Sequence, residues 1–213
     1  MLYDKDIREP LFEYFENRFG KIRIFEEKII GHSRADAFFV LEDRICGVEI
    51  KSDADSYERL KLQIEYYDMY FDENYLVVGS SHAKSSIKHV PPYWGIISVE
   101  EQENTVDFYI VKEPENNPNM DWNKKISILW RPELKHIQEL NNMPKYAEKS
   151  KTFVCEKILA MIDRNLLAKQ VSDELFERDY EKIRDVINEY RLSIGKKKRR
   201  RRKRAKSGGS KKS

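Results

Sequence analysis

Two apolar runs, residues 35–41 and 45–51, are separated only by Glu42-Asp43-Arg44, and they constrain this chain more than any other stretch. Short runs rich in Phe, Val and Ile, divided by a polar break, read as the two strands of a hairpin. Pairing Val40 with Ile45 sets the register and places Asp36 directly across from Glu49, on one face of the sheet. Lys51, two residues beyond Glu49, points the same way, whereas Val48 and Ile50 point to the opposite face and anchor the strand in the core. A slip of one residue would destroy the arrangement. Two carboxylates and an ammonium at that spacing are groups able to hold a divalent cation beside a phosphodiester.

The surrounding pattern predicts a mixed α/β sheet. A helix is expected over 6–18, capped by Asp6 or an early neighbour, with Pro10 in its first turn and Gly20 ending it. Ile22 and Ile24 suggest a short strand, and residues 31–34 a loop. Asp55 and Glu58 fit a capping box for a helix running to about Phe71, with Leu60, Ile64, Tyr67 and Phe71 on one stripe. Gln63 and Tyr67, four apart, share a face of that helix. Strands are expected over 75–79, 94–99 and 108–111, the last two as a hairpin. Residues 114–124 read as a polar loop, and helices are expected over 132–141, 150–165 and 172–192. These divisions suggest a core at 1–130, a helical extension at 131–194 and a basic tail at 195–213.

Charge is unevenly spread. The formal net charge is +3, but residues 196–212 carry twelve Lys or Arg and no acid, so the rest of the chain stands at −9. Attraction to nucleic acid must then come from local patches or from the tail, where Lys198, Arg200, Arg202 and Arg204 are candidate phosphate contacts. A localisation signal and a solvated charge run are the other readings of that segment. No apolar run approaches the ~20 residues of a bilayer span, and the first residues lack a signal-peptide layout. Cys46 and Cys155 are the two cysteines, too few for a disulfide framework or a Cys-based zinc site. A soluble protein of the reducing cytoplasm, without a membrane partner, is the expectation.

Asp36, then Glu49-Ile50-Lys51 on the next strand, then Gln63-x-x-x-Tyr67 on the following helix resembles the PD-(D/E)XK nuclease superfamily, in its RecB-like branch. The likeness covers roughly residues 5–113, and the helix-strand-strand-strand-helix-strand order agrees with it. Ala35 stands where the motif has a proline, a position that is not a ligand. More narrowly, the run from Arg34 through Val78-Gly79, with Trp94-Gly95, Leu129-Trp130-Arg131 and Ser150-Lys151, is similar to a poorly characterised bacterial and phage family within that superfamily.

The resemblance implies a restriction-endonuclease-like core and Mg²⁺-dependent hydrolysis of DNA, with Mn²⁺ as substitute and RNA not excluded. Asp36, Glu49 and the Ile50 carbonyl would hold the metal. Lys51 would be the catalytic lysine, and Gln63 would orient it or the attacking water. A further acid often lies upstream in such sites; Glu27 or Glu26 is the candidate, with Glu13 and Glu9 as alternatives. Tyr67 is either a nucleic-acid contact or core packing. A homodimer would let one site serve each strand. The alternative function is a binding or interaction module that keeps the fold with little or no catalysis.

Overall fold

The computed structural model describes residues 2–102, 105–193 and 195. The first compact unit ends at Glu177. It opens with α1 (Asp4–Phe19), followed by β1 (Arg23–Ile30), β2 (Ser33–Val40), β3 (Ile45–Lys51), α2 (Leu60–Tyr70) and β4 (Glu73–Gly79). A short α3 (Ala83–Ser86) precedes β5 (Gly95–Gln102) and β6 (Thr105–Lys112), and α4 (Trp122–Ile126), α5 (Arg131–Leu140), α6 (Lys151–Met161) and α7 (Arg164–Phe176) complete the unit.

The six strands lie in the sheet in chain order. Strands β1, β2 and β3 are antiparallel neighbours, β3–β4 and β4–β5 are parallel, and β5–β6 is an antiparallel hairpin. The fold is therefore α/β, with a six-stranded mixed sheet flanked by helices. The β2–β3 register pairs Val40 with Ile45 and Ala37 with Val48, as the hairpin pattern predicts.

One face of the sheet carries α1. Ile7, Leu11 and Phe15, at helical i, i+4 spacing, pack on Phe39, Val48, Ile50, Tyr75 and Val77. The Phe15 and Phe39 rings lie 4.6 Å apart. The opposite face carries α2 and helices α4 to α7, with Leu60, Tyr67 and Phe71 sharing a core with Phe38, Val40, Ile45, Leu76 and Val78. All seven residues of β3 are buried, as expected for a strand covered on both faces.

Several local expectations fail for identifiable reasons. The Asp6 carboxylate accepts the Tyr3 N–H, so α1 starts early and Pro10 falls in its second turn rather than its first. Asp55 does not cap α2; it closes the turn after β3 by accepting the backbone N–H and the hydroxyl of Ser52, at 2.9 and 2.6 Å. Helix α2 consequently begins at Leu60 without a side-chain cap. The expected helices 150–165 and 172–192 are three. Asp163 accepts the N–H groups of Asn165 and Leu166, which ends α6 and starts α7.

The third piece, α8 (Tyr180–Ser193), belongs to a second unit running from Arg178. The expected boundary at 131 is not a division of the structure. Leu134, Ile137, Val154, Ile158, Leu167, Val171 and Leu175 of α5–α7 share one apolar core with the sheet, and compactness carries through to Glu177. Among the described residues no helix is long and apolar enough to cross a membrane.

Candidate functional site

The β2–β3 ladder reaches Ala37↔Val48. At the next step, where Asp36 faces Glu49, side chains take over. The Tyr67 hydroxyl, rising from α2, accepts the Asp36 N–H at 3.0 Å and donates to the Val48 carbonyl at 3.0 Å. The Asp36 carboxylate accepts the Ile50 N–H through Oδ2, also at 3.0 Å. The two strands thus fork around a phenol and a carboxylate. Gly47 makes the approach of α2 possible: a Cβ there would collide with Phe71, with the Asn74 amide oxygen and with the Tyr67 ring.

Glu49 stands inside this fork, fully buried. The Lys51 ammonium lies 2.7 Å from its Oε1 and donates to Gln63 Oε1 at 3.0 Å. The Gln63 amide nitrogen in turn donates to the same Glu49 oxygen. Glu49, Lys51 and Gln63 therefore form a closed triangle centred on Oε1. The other oxygen, Oε2, is buried and has no hydrogen-bond partner. A buried acceptor without a partner is costly and rare in a well-folded core.

The electrostatics follow from this burial. Desolvation, and then the charge of nearby Asp36, push the Glu49 carboxyl up from 4.5 to about 7, against the opposing pull of Lys51. Burial raises Asp36 as well, offset by the Ile50 N–H and by Arg8. The Tyr67 phenol is driven well above its ordinary value by burial and by the two carboxylates. Glu49, resisting ionisation in a buried place beside Asp36, is in the condition that a cation relieves.

Asp36, Glu49, Ile50, Lys51, Gln63 and Tyr67 are thus brought together, and Ile50 is seen to contribute its N–H to Asp36. Tyr67 is fully buried and acts between the strands, so its expected role as a nucleic-acid contact is corrected to a structural one. Glu27 is not gathered in. It takes a left-handed φ of 50°, is half-exposed and pairs with Arg34 at 3.5 Å. Glu9 and Glu13 are exposed on α1. Glu26 lies 3.6 Å from Arg8. Lys198, Arg200, Arg202 and Arg204 lie outside the described residues.

Arg8 is the site residue that sequence reasoning missed. Its guanidinium bonds Asp4 at 2.8 Å and the Asp36 carbonyl at 3.1 Å, and lies 3.7 Å from Asp36 Oδ1. The Asp4/Arg8 spacing reads in the sequence as an ordinary i, i+4 surface pair; nothing in it signals a strand 28 residues away.

Among the described residues no group of three or more His, Cys, Asp or Glu side chains is gathered to hold a metal ion. The pair Asp36 and Glu49 still suits Mg²⁺, which is commonly held by one or two carboxylates and otherwise by water. A buried Glu49 Oε2 without a hydrogen-bond partner fits such a cation.

No curated protein and no solved structure matches this chain. Residues 3–203 match the model of the family described as bacteriophage P4 protein cII, nearly the whole sequence, and the chain belongs to that family.

Proposed function

We propose that this protein is a metal-dependent nuclease of the PD-(D/E)XK type, with a restriction-endonuclease-like core, that hydrolyses DNA phosphodiester bonds. The observation that carries the reading is the division of labour on Glu49: Oε1 is held by Lys51 and Gln63, while Oε2 is buried without a partner beside Asp36.

Asp36 and Glu49 would hold Mg²⁺, or Mn²⁺ in its place, with the Ile50 carbonyl as a further oxygen donor. The bound ion would supply an acidified water and charge neutralisation at the phosphate. Lys51 brings an ammonium into the fork and, fixed by Glu49 and Gln63, can orient a nucleophilic water or meet charge developing on a phosphate oxygen. Gln63 positions Lys51 by accepting from it while bonding Glu49. Cutting both strands of a duplex would call for two copies of the chain.

The test is cleavage of DNA, with RNA as a parallel substrate, by the full chain in Mg²⁺ or Mn²⁺. Strand scission that is abolished by chelation and lost in Asp36→Ala and Lys51→Ala is expected. Full cleavage by both variants overturns the assignment. Binding of DNA without scission under any metal would favour a binding module of the same fold.

A further inference from the structure

We propose that Arg8 is a built-in rival for the cation position at Asp36, so that the site takes up a divalent ion by displacing a guanidinium; this rests on the metal-dependent reading above. Asp36 has two carboxylate oxygens with different duties. Oδ2 is engaged by the Ile50 N–H at 3.0 Å. Oδ1 is the oxygen left for a cation, and it is the one that Arg8 Nη2 faces at 3.7 Å. Glu49 Oε2 meanwhile has no partner. The arginine thus faces the free oxygen of Asp36, whereas Lys51 and Gln63 are both spent on Oε1 of Glu49 and its Oε2 is left without a donor.

The contact is of a kind that can be surrendered. A charge-assisted hydrogen bond to a carboxylate is ~2.7–2.9 Å long, and 3.7 Å lies well beyond that. The firm bonds of Arg8 run elsewhere, to Asp4 Oδ2 at 2.8 Å and to the Asp36 carbonyl at 3.1 Å, with Glu26 at 3.6 Å. A guanidinium pushed off Oδ1 therefore keeps its hydrogen bonds to one carboxylate and one carbonyl. Its side chain is 14% exposed, so water screens the attraction only in part. Arg8 comes from α1, whose apolar face packs on the side of the sheet opposite Tyr67 and α2. The position of that helix is thereby coupled to the affinity of the site for metal.

A merely structural tie between α1 and β2 makes a different prediction, because loosening it would weaken the site or leave it unchanged. The experiment is Mn²⁺ binding to the full chain without nucleic acid, read from the electron paramagnetic resonance signal of the free aqueous ion. Arg8→Gln, which keeps hydrogen bonding but removes the charge, is expected to bind Mn²⁺ roughly tenfold more tightly, as suits loss of a close like charge in partly screened surroundings. Arg8→Lys should stay near the parent.

Asp4→Asn takes away the closest competing anchor, commits Arg8 more fully to Asp36, and should weaken Mn²⁺ binding. Equal or weaker binding by folded Arg8→Gln, with binding still abolished in Asp36→Ala, overturns the rivalry and spares the metal reading. Should Arg8→Gln fail to fold, unchanged or tighter binding by Asp4→Asn overturns it instead. Absence of Mn²⁺ binding in the parent and in every variant overturns both.

Discussion

The Tyr67 hydroxyl and the Asp36 backbone are joined at the point where two strands part: the phenol accepts a hydrogen bond from the Asp36 N–H and donates one to the Val48 carbonyl, each at 3.0 Å. Tyr67→Phe removes both bonds while keeping the ring in its packing among Phe71 and Trp94. It leaves a partly buried N–H and a buried carbonyl to find each other or go unpaired, at a cost of about 1–3 kcal/mol. Urea unfolding of the variant against the parent measures it, and an unchanged midpoint would show that the phenol does not bridge the strands.

Glu49 gives the metal-free protein a characteristic pH dependence. Its carboxyl is raised from 4.5 to about 7, chiefly by burial and then by Asp36. Between those values the folded chain keeps a proton that the unfolded chain has released. Stability is therefore greatest at the acidic end of this window and falls as pH rises through it, by on the order of 3 kcal/mol. Asp36, also raised, acts in the same direction. Melting temperatures across this range should fall for the parent, fall much less for Glu49→Gln, and be restored near neutral pH by Mn²⁺. A parent profile as flat as that of Glu49→Gln would contradict the burial argument.

Lys51→Ala should separate catalysis from stability. It strands Glu49 with Gln63 as its remaining partner. Removing one member of a buried pair costs about 3–5 kcal/mol when the survivor stays charged. Glu49 can escape by holding its proton, so the loss should be smaller below pH 7 than above it. Cleavage should drop by about 10²–10³-fold, the scale of losing one stabilising donor. Retained cleavage with lowered stability would reduce Lys51 to a counter-ion.

Gly47→Ala tests why α2 lies so close to β3. The added methyl meets Phe71, Asn74 and the Tyr67 ring. Overpacking of this kind typically costs about 1–3 kcal/mol. Because the displaced ring carries the bridging hydroxyl, the variant should also bind Mn²⁺ more weakly. A stable variant with parental Mn²⁺ affinity would mean that α2 can retreat without disturbing the fork.

Legibility in the sequence followed the range of the interactions. Strand β3 was readable to the residue at 45–51, and its register on β2 with it, because alternation and a short polar turn are local signals. The placing of Asp36, Glu49 and Lys51 on one face follows from that register, whereas Gln63 joins them in the sequence only through the resemblance to the Gln-x-x-x-Tyr element. The Asp55 cap was misread because a carboxylate can serve a turn as readily as a helix, and Ser52 lay closer. Asp163 was overlooked as a cap inside an otherwise helical pattern. Arg8 could not be foreseen, since its partner on β2 is fixed by how α1 docks. The same holds for Lys125 of α4, a lysine buried among the core side chains with Asp72 as its partner at 2.7 Å.

Asp72 has a second partner. It also accepts the N–H of Ile45, the first residue of β3, at 2.7 Å, so a single carboxylate ties the start of that strand to a helix some 80 residues later in the chain. Cutting the gene near codon 130 would strip Leu134, Ile137, Val154, Ile158, Leu167, Val171 and Leu175 from the core that they share with Phe38, Leu76 and Val78. Helices α4 to α7 are thus no detachable appendage but the second wall of the core that the sheet begins.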